Sequence, residues 1–82
     1  MKVQKAVGMR ISELLAKHNI TEYKLSLQSG LSKQAISQIM NERYESIKFE
    51  TMVKIADGFG ITVQEFIDSK FFARENLDIK YE

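Results

Sequence analysis

The sequence predicts an all-α fold, a compact bundle of five short helices followed by a short tail. Three observations carry this expectation. Apolar residues recur at helical spacing through most of the chain. Thr21, Ser32 and Thr62 stand where helix N-caps are needed, and Gly30 and Gly60 where helices must stop. The intervals between these signals are only a few residues, which suits a bundle of neighbouring helices.

The first helix is expected from about Gln4 to Lys17, with Val7, Ile11, Leu14 and Leu15 as its apolar stripe and Lys5, Arg10, Ser12, Glu13 and Lys17 on other faces. His18 ends it, where a cation suits the helix dipole, and Asn19 tolerates the left-handed stop. Thr21 caps the second helix, which carries Glu22 in its first turn, buries Leu25 and ends at Ser29-Gly30. Ser32 caps the third, which buries Ile36 and Ile39, with Met40 a further candidate. Residues 41–48 lack a period and read as a polar loop. The fourth helix runs from about Phe49 or Glu50 to Phe59, with Met52, Val53, Ile55, Ala56 and Phe59 inward. Thr62 opens a short fifth helix holding Val63, Phe66 and Ile67. Phe71 and Phe72 extend the apolar surface, as core in part or as a dimer contact. In the tail Leu77, Ile79 and Tyr81 alternate with Asp78, Lys80 and Glu82, a strand-like pattern with no strand to pair with. Such a tail can lie over the core, join a second subunit or fray. The expected division is a domain over residues 1–70 and a tail over 71–82, the latter a dimer contact or disordered.

Eighty-two residues allow one domain with a thin core. Without cysteine, disulfides and thiolate metal sites are excluded, which fits a cytosolic protein. A single histidine excludes a histidine metal cluster. No apolar run approaches the roughly 20 residues that span a bilayer, and the N-terminus lacks the apolar stretch of a signal peptide. Net charge is only +1, but it is unevenly spread. Residues 1–20 carry four bases against Glu13, whereas residues 50–82 carry four bases against seven acids. A basic N-terminal half and an acidic C-terminal third can offer one face to a polyanion and keep the other away.

Residues 21–40, TEYKLSLQSGLSKQAISQIM, form a helix-turn-helix unit. Leu25, Leu31, Ile36 and Ile39 supply apolar contacts, Gly30 the turn, and Ser26 a small side chain where the two helices come together. The second helix of the unit then keeps Lys33, Gln34, Ser37, Gln38 and Asn41 free. Glutamine can pair bidentately with adenine, lysine can donate to guanine, and serine can contact either, so Lys33, Gln34, Ser37 and Gln38 are the candidate base readers in a major groove. Arg43 and Lys48 in the following loop are candidate phosphate contacts. No nucleophile–base pair, metal constellation or phosphate loop is visible; an enzyme is the least expected class, and no cofactor or metal is expected.

The span from about Val7 to Ile67 resembles the DNA-binding domain of the phage repressor and Cro family, the lambda-repressor-like five-helix type. The residues that carry the resemblance are Ile20 to Leu25, Ser29-Gly30-Leu31-Ser32, Ala35 to Ile39, and the closing run from Phe49 to Thr62. Carried over by position, the family's base contacts fall on Lys33, Gln34 and Gln38, with Ser32 and Asn41 near the DNA backbone. The family's phosphate contact at the start of helix two falls on Glu22, beside Thr21. Relatives often have glutamine there, and a glutamate repels phosphate, although the helix's N-terminal amides can still serve. Where many relatives pair an arginine on helix one with a glutamate at the end of helix three, this chain has Leu15 and Met40. An ion pair replaced as a unit by apolar contact can be neutral or stabilising. Ser26 stands where alanine is usual.

The resemblance implies a sequence-specific, cytoplasmic regulator of transcription, a repressor that binds double-stranded DNA as a homodimer on a palindromic operator. The alternative is an adaptor or antitoxin-like protein that uses this fold to bind another protein. Glu22, Glu42 and Glu45 near the expected DNA face favour it.

Overall fold

The computed structural model describes residues 1–80, which hold five α-helices, two 3₁₀ turns and no strand. Helix α1 spans Val3–His18, α2 Glu22–Ser29, α3 Lys33–Met40, α4 Phe49–Phe59 and α5 Val63–Ile67. Their ends follow from local chemistry. Asn19 closes α1 in the left-handed conformation (φ 54°), and the Ile20 amide reaches back to the Leu15 carbonyl at 3.1 Å. Thr21 Oγ1 accepts from the Lys24 amide at 3.1 Å and Ser32 Oγ from the Ala35 amide at 3.0 Å, fixing the starts of α2 and α3. Thr62 and Glu65 form a reciprocal capping box at the start of α5. Gly30 (φ 77°) and Gly60 (φ 72°) adopt the backbone conformation that ends α2 and α4.

The core is one cluster. Val7, Ile11 and Leu14 from α1 meet Leu25, Ile36, Ile39, Ile55, Ala56, Phe59 and Phe66. Helix α2 packs on α4, and α3 packs on α1. Gly58 sits where α2 and α4 approach: a Cβ built there would lie 2.7 Å from Leu25 Cδ1 and 3.2 Å from Ser29 Cα. Gly8 plays a looser version of this part between α1 and α3, with the Met40 backbone 3.4 Å from its would-be Cβ. Leu15 and Met40 are both half-buried against the core, as apolar substitutes for an ion pair should be. Ser26 is buried, and its hydroxyl donates to the Tyr23 carbonyl at 2.9 Å. The His18 ring lies against Phe59, with centroids 5.4 Å apart.

Arg10 does not belong to the basic surface that its charge suggested. Its side chain is 13% exposed, and its guanidinium donates to the Phe66 carbonyl (2.8 Å), the Glu65 carbonyl (2.9 Å) and Glu13 (2.6 Å). A helix as short as α5 ends with carbonyls short of partners; from α1, Arg10 bonds the Phe66 carbonyl and adds a second donor to the Glu65 carbonyl.

The strand-like alternation of the tail is not realised among the described residues. Lys70–Phe72 and Arg74–Asn76 form 3₁₀ turns, and residues 77–80 are irregular. With no neighbouring strand to supply a ladder, the tail is tied by short-range bonds and by one bond to the N-terminus instead. Ala73 donates to the Lys70 carbonyl, Asn76 Nδ2 donates to the same carbonyl at 2.6 Å, and the Asp78 amide donates to the Met1 carbonyl at 2.8 Å. The tail up to Lys80 therefore lies against the body. Phe72 packs on the core, 6.0 Å centroid to centroid from Phe66; Phe71 is half-buried and Ile67 exposed. Tyr81 and Glu82, the last members of the alternating pattern, lie outside the described residues.

Candidate nucleic-acid interface

Helix α3 has a sharply divided surface. Ile36 and Ile39 face inward and are buried, while Lys33 and Gln34 are exposed and Ser37 and Gln38 half-buried on the outer side. The spacing explains the division, since residues three and four apart share a helix face. Lys33, Gln34, Ser37, Gln38, Asn41 and Arg43 together line one open depression. The four expected base readers thus share a single surface, and Asn41 and Arg43 join them from the end of the helix.

The remaining expected backbone contacts lie outside that depression. Thr21 and Ser32 are exposed, and each uses its side-chain oxygen to cap a helix. Glu22 is half-buried in the first turn of α2. Capping accounts for the Lys24 amide, which leaves the Glu22 and Tyr23 amides at this end as donors beyond the helix ladder. Lys48 is exposed at the N-cap position of α4 and borders a separate apolar groove with Leu31, Ala35, Ile39, Tyr44 and Ile47. Asn41 turns its side chain back on its own helix: Nδ2 donates to the Ser37 carbonyl at 2.8 Å and to Ser37 Oγ at 3.3 Å. Among the described residues the ion pairs are those of the N-terminal ammonium with Asp78, Arg10 with Glu13 and Lys54 with Glu50. Lys33, Arg43 and Lys48 belong to none of them, so their charges stay available to a polyanion.

Sequence reasoning missed the way the loop after α3 is held. Glu42 takes a positive φ of 57°, which sends the chain back over the helix it has just left. The Arg43 amide then donates to the Gln38 carbonyl at 2.9 Å, and Tyr44 Oη donates to Gln38 Oε1 at 2.8 Å. From the other side, Gln4 Nε2 on α1 donates to the Glu45 carbonyl at 2.7 Å. No residue type in this loop announces such a fold, because Glu42 is neither glycine nor asparagine.

No helix among the described residues is long and apolar enough to cross a membrane. A search of curated proteins found no match to the chain. The family model of the Cro/C1-type helix-turn-helix DNA-binding domain matches residues 10–71, a span that takes in all of α2 to α5 and most of α1. With this match over three quarters of the chain, and with α2 and α3 holding a polar, cation-bearing face outward, the chain belongs to the Cro/C1-type helix-turn-helix family of DNA-binding transcription regulators.

Proposed function

We propose that this protein is a transcriptional repressor that binds a palindromic operator as a homodimer, in the cytoplasm, with α3 in the major groove. The carrying observation is the convergence of Lys33, Gln34, Ser37 and Gln38 with Arg43 on one open depression along α3. In this reading those four side chains read base edges, with Lys33 and Gln34 foremost because the N-terminal turn reaches the bases first. Arg43, Lys48, Ser32 and Asn41 hold the phosphate backbone. At the start of α2 the backbone amides beside Thr21 serve in place of the Glu22 carboxylate, which repels phosphate. A single module of this size contacts few base pairs. Two copies on half-sites about 34 Å apart give the specificity an operator needs. The domain proper is residues 1–70, and the contacts to a second subunit come from α5, where Ile67 is exposed, and from the tail over 71–82.

The test is selection of bound duplexes from a random pool, followed by a salt series and sedimentation of the complex. The proposal expects a two-fold symmetric consensus, two chains per duplex and affinity that falls steeply as salt rises. Gln34→Ala should relax preference at one position of each half-site by about 1–3 kcal/mol. Absence of any salt-sensitive retention on duplex DNA would overturn it. That outcome would favour the adaptor or antitoxin-like reading, for which the exposed Glu42 and Glu45 beside α3 are the specific support.

A further inference from the structure

We infer that Tyr44 is a specificity-determining positioning residue: its hydroxyl sets the orientation of the Gln38 amide and thereby which bases Gln38 accepts. The inference rests on the DNA-reading role proposed for α3. It begins from the hydrogen bond in which Tyr44 Oη donates to Gln38 Oε1 at 2.8 Å.

A glutamine side chain can rotate by half a turn about its last bond, exchanging a donor end for an acceptor end at little steric cost. Left free, it is an ambiguous reader. Here the ambiguity is removed from one side. The phenol hydroxyl donates better than it accepts, because the ring draws on its oxygen lone pair, so it prefers Oε1 to Nε2. The ring lines the apolar groove formed with Leu31, Ala35, Ile39 and Ile47, with 38% of the residue left exposed. The chain brings it there through the positive φ of Glu42 and the Arg43 amide bond to the Gln38 carbonyl. Gln38 is therefore held at its backbone and at its amide by the same three-residue turn.

The consequence is chemical. Nε2 keeps both hydrogens and makes no bond to the described residues, while Oε1 keeps one lone pair. That arrangement suits a base with an acceptor at its major-groove edge: N7 of adenine, with N6 donating to the remaining Oε1 lone pair, or N7 and O6 of guanine. Cytosine offers only an amino donor at this edge, so it can use the remaining Oε1 lone pair but leaves both Nε2 hydrogens without an acceptor, one bond where a purine makes two. Gln34 lies on the same face with no such bond to its side chain, so the two glutamines differ in how far their orientation is decided before DNA arrives.

The test is Tyr44→Phe, which keeps the ring in its groove and removes only the hydroxyl, read in two ways. In the free protein, ¹⁵N relaxation of the side-chain amides should show Gln38 more ordered than Gln34 in the wild type and equally mobile in Tyr44→Phe. On DNA, selected sequences should show discrimination against cytosine at one half-site position falling by about 3–10-fold, the worth of one neutral hydrogen bond. That position should be the one affected by Gln38→Ala, and the salt slope should not change. A Gln38 amide as mobile in the wild type as in Tyr44→Phe would overturn the inference. So would an unchanged selection profile, or a uniform loss of affinity across all sequences. Failure of the wild type itself to bind duplexes would instead refute the DNA-reading role and the base preference with it. The relaxation measurement would still decide whether Tyr44 orders the amide.

Discussion

Replacing Arg10 with methionine should destabilise the domain by about 2–3 kcal/mol, and the structure says where that figure comes from. The guanidinium makes two charge-assisted bonds to the end of α5, at 2.8 Å to Phe66 O and 2.9 Å to Glu65 O. Hydrogen bonds to charged groups are worth about 1.5–3 kcal/mol each. Glu65 O also accepts from the Asp68 amide at 3.3 Å, so it keeps a partner when Arg10 is gone, and the loss there is discounted. The ion pair with Glu13 adds little, because Glu13 is 43% exposed and surface pairs contribute at most about 1 kcal/mol. Methionine preserves most of the apolar stem, which separates the polar loss from a packing loss. In a domain of this size each kcal/mol moves the melting temperature by roughly 4–8 °C, so thermal unfolding followed by circular dichroism should show a fall of about 8–24 °C. Arg10→Lys should fall between, since a single ammonium cannot reproduce the planar fork. Glu13→Ala should shift the midpoint by no more than a few degrees. If Arg10→Met melts with Glu13→Ala, the bonds from Arg10 to the end of α5 contribute no more than the surface ion pair.

Three further outcomes follow from the geometry. Gly58→Ala gains up to about 1 kcal/mol of helix propensity but forces a methyl to within 2.7–3.2 Å of Leu25 and Ser29. Overpacking of that kind costs about 1–3 kcal/mol, and the Ser29 backbone cannot step aside, so a net loss of roughly 1–2 kcal/mol is expected in denaturant melts. Glu42→Gly should raise stability by up to about 1 kcal/mol, since it relieves a left-handed non-glycine residue at a smaller entropic cost, whereas Glu42→Val should lower it. Arg43→Ala should weaken all duplexes alike and reduce the slope of log affinity against log salt by about 1. A change of base preference would move Arg43 from the phosphates to the bases.

What could be read from the sequence was what local chemistry decides. Thr21, Ser32 and Thr62 cap helices, and Asn19, Gly30 and Gly60 end them, because a cap needs only its neighbours two or three residues away. The polar face of α3 was legible for the same reason, since Ile36 and Ile39 fix which side turns inward. What depends on distant partners was hidden. Gly58 looks like an interior helix residue until α2 lies across it. Arg10 reads as one more surface base until the end of α5 arrives beside it. The tail alternates like a strand, but a strand requires a neighbour, and this bundle provides none among the described residues. Tyr44 carries no pattern at all; only the turn at Glu42 brings it to Gln38.

The apolar character of Leu15 on α1 and Met40 on α3, each packed against the core, has a bearing on how this protein can be measured. Helix α3 is joined to α1 through apolar side chains and the close backbone approach at Gly8, and among the described residues no ion pair crosses that seam. Added salt therefore weakens contacts to a phosphate backbone without loosening the mount of the helix that would make them. A salt titration on this chain separates two quantities that are mixed wherever the mount is itself an ion pair: the strength of the grip on DNA and the rigidity of the hand.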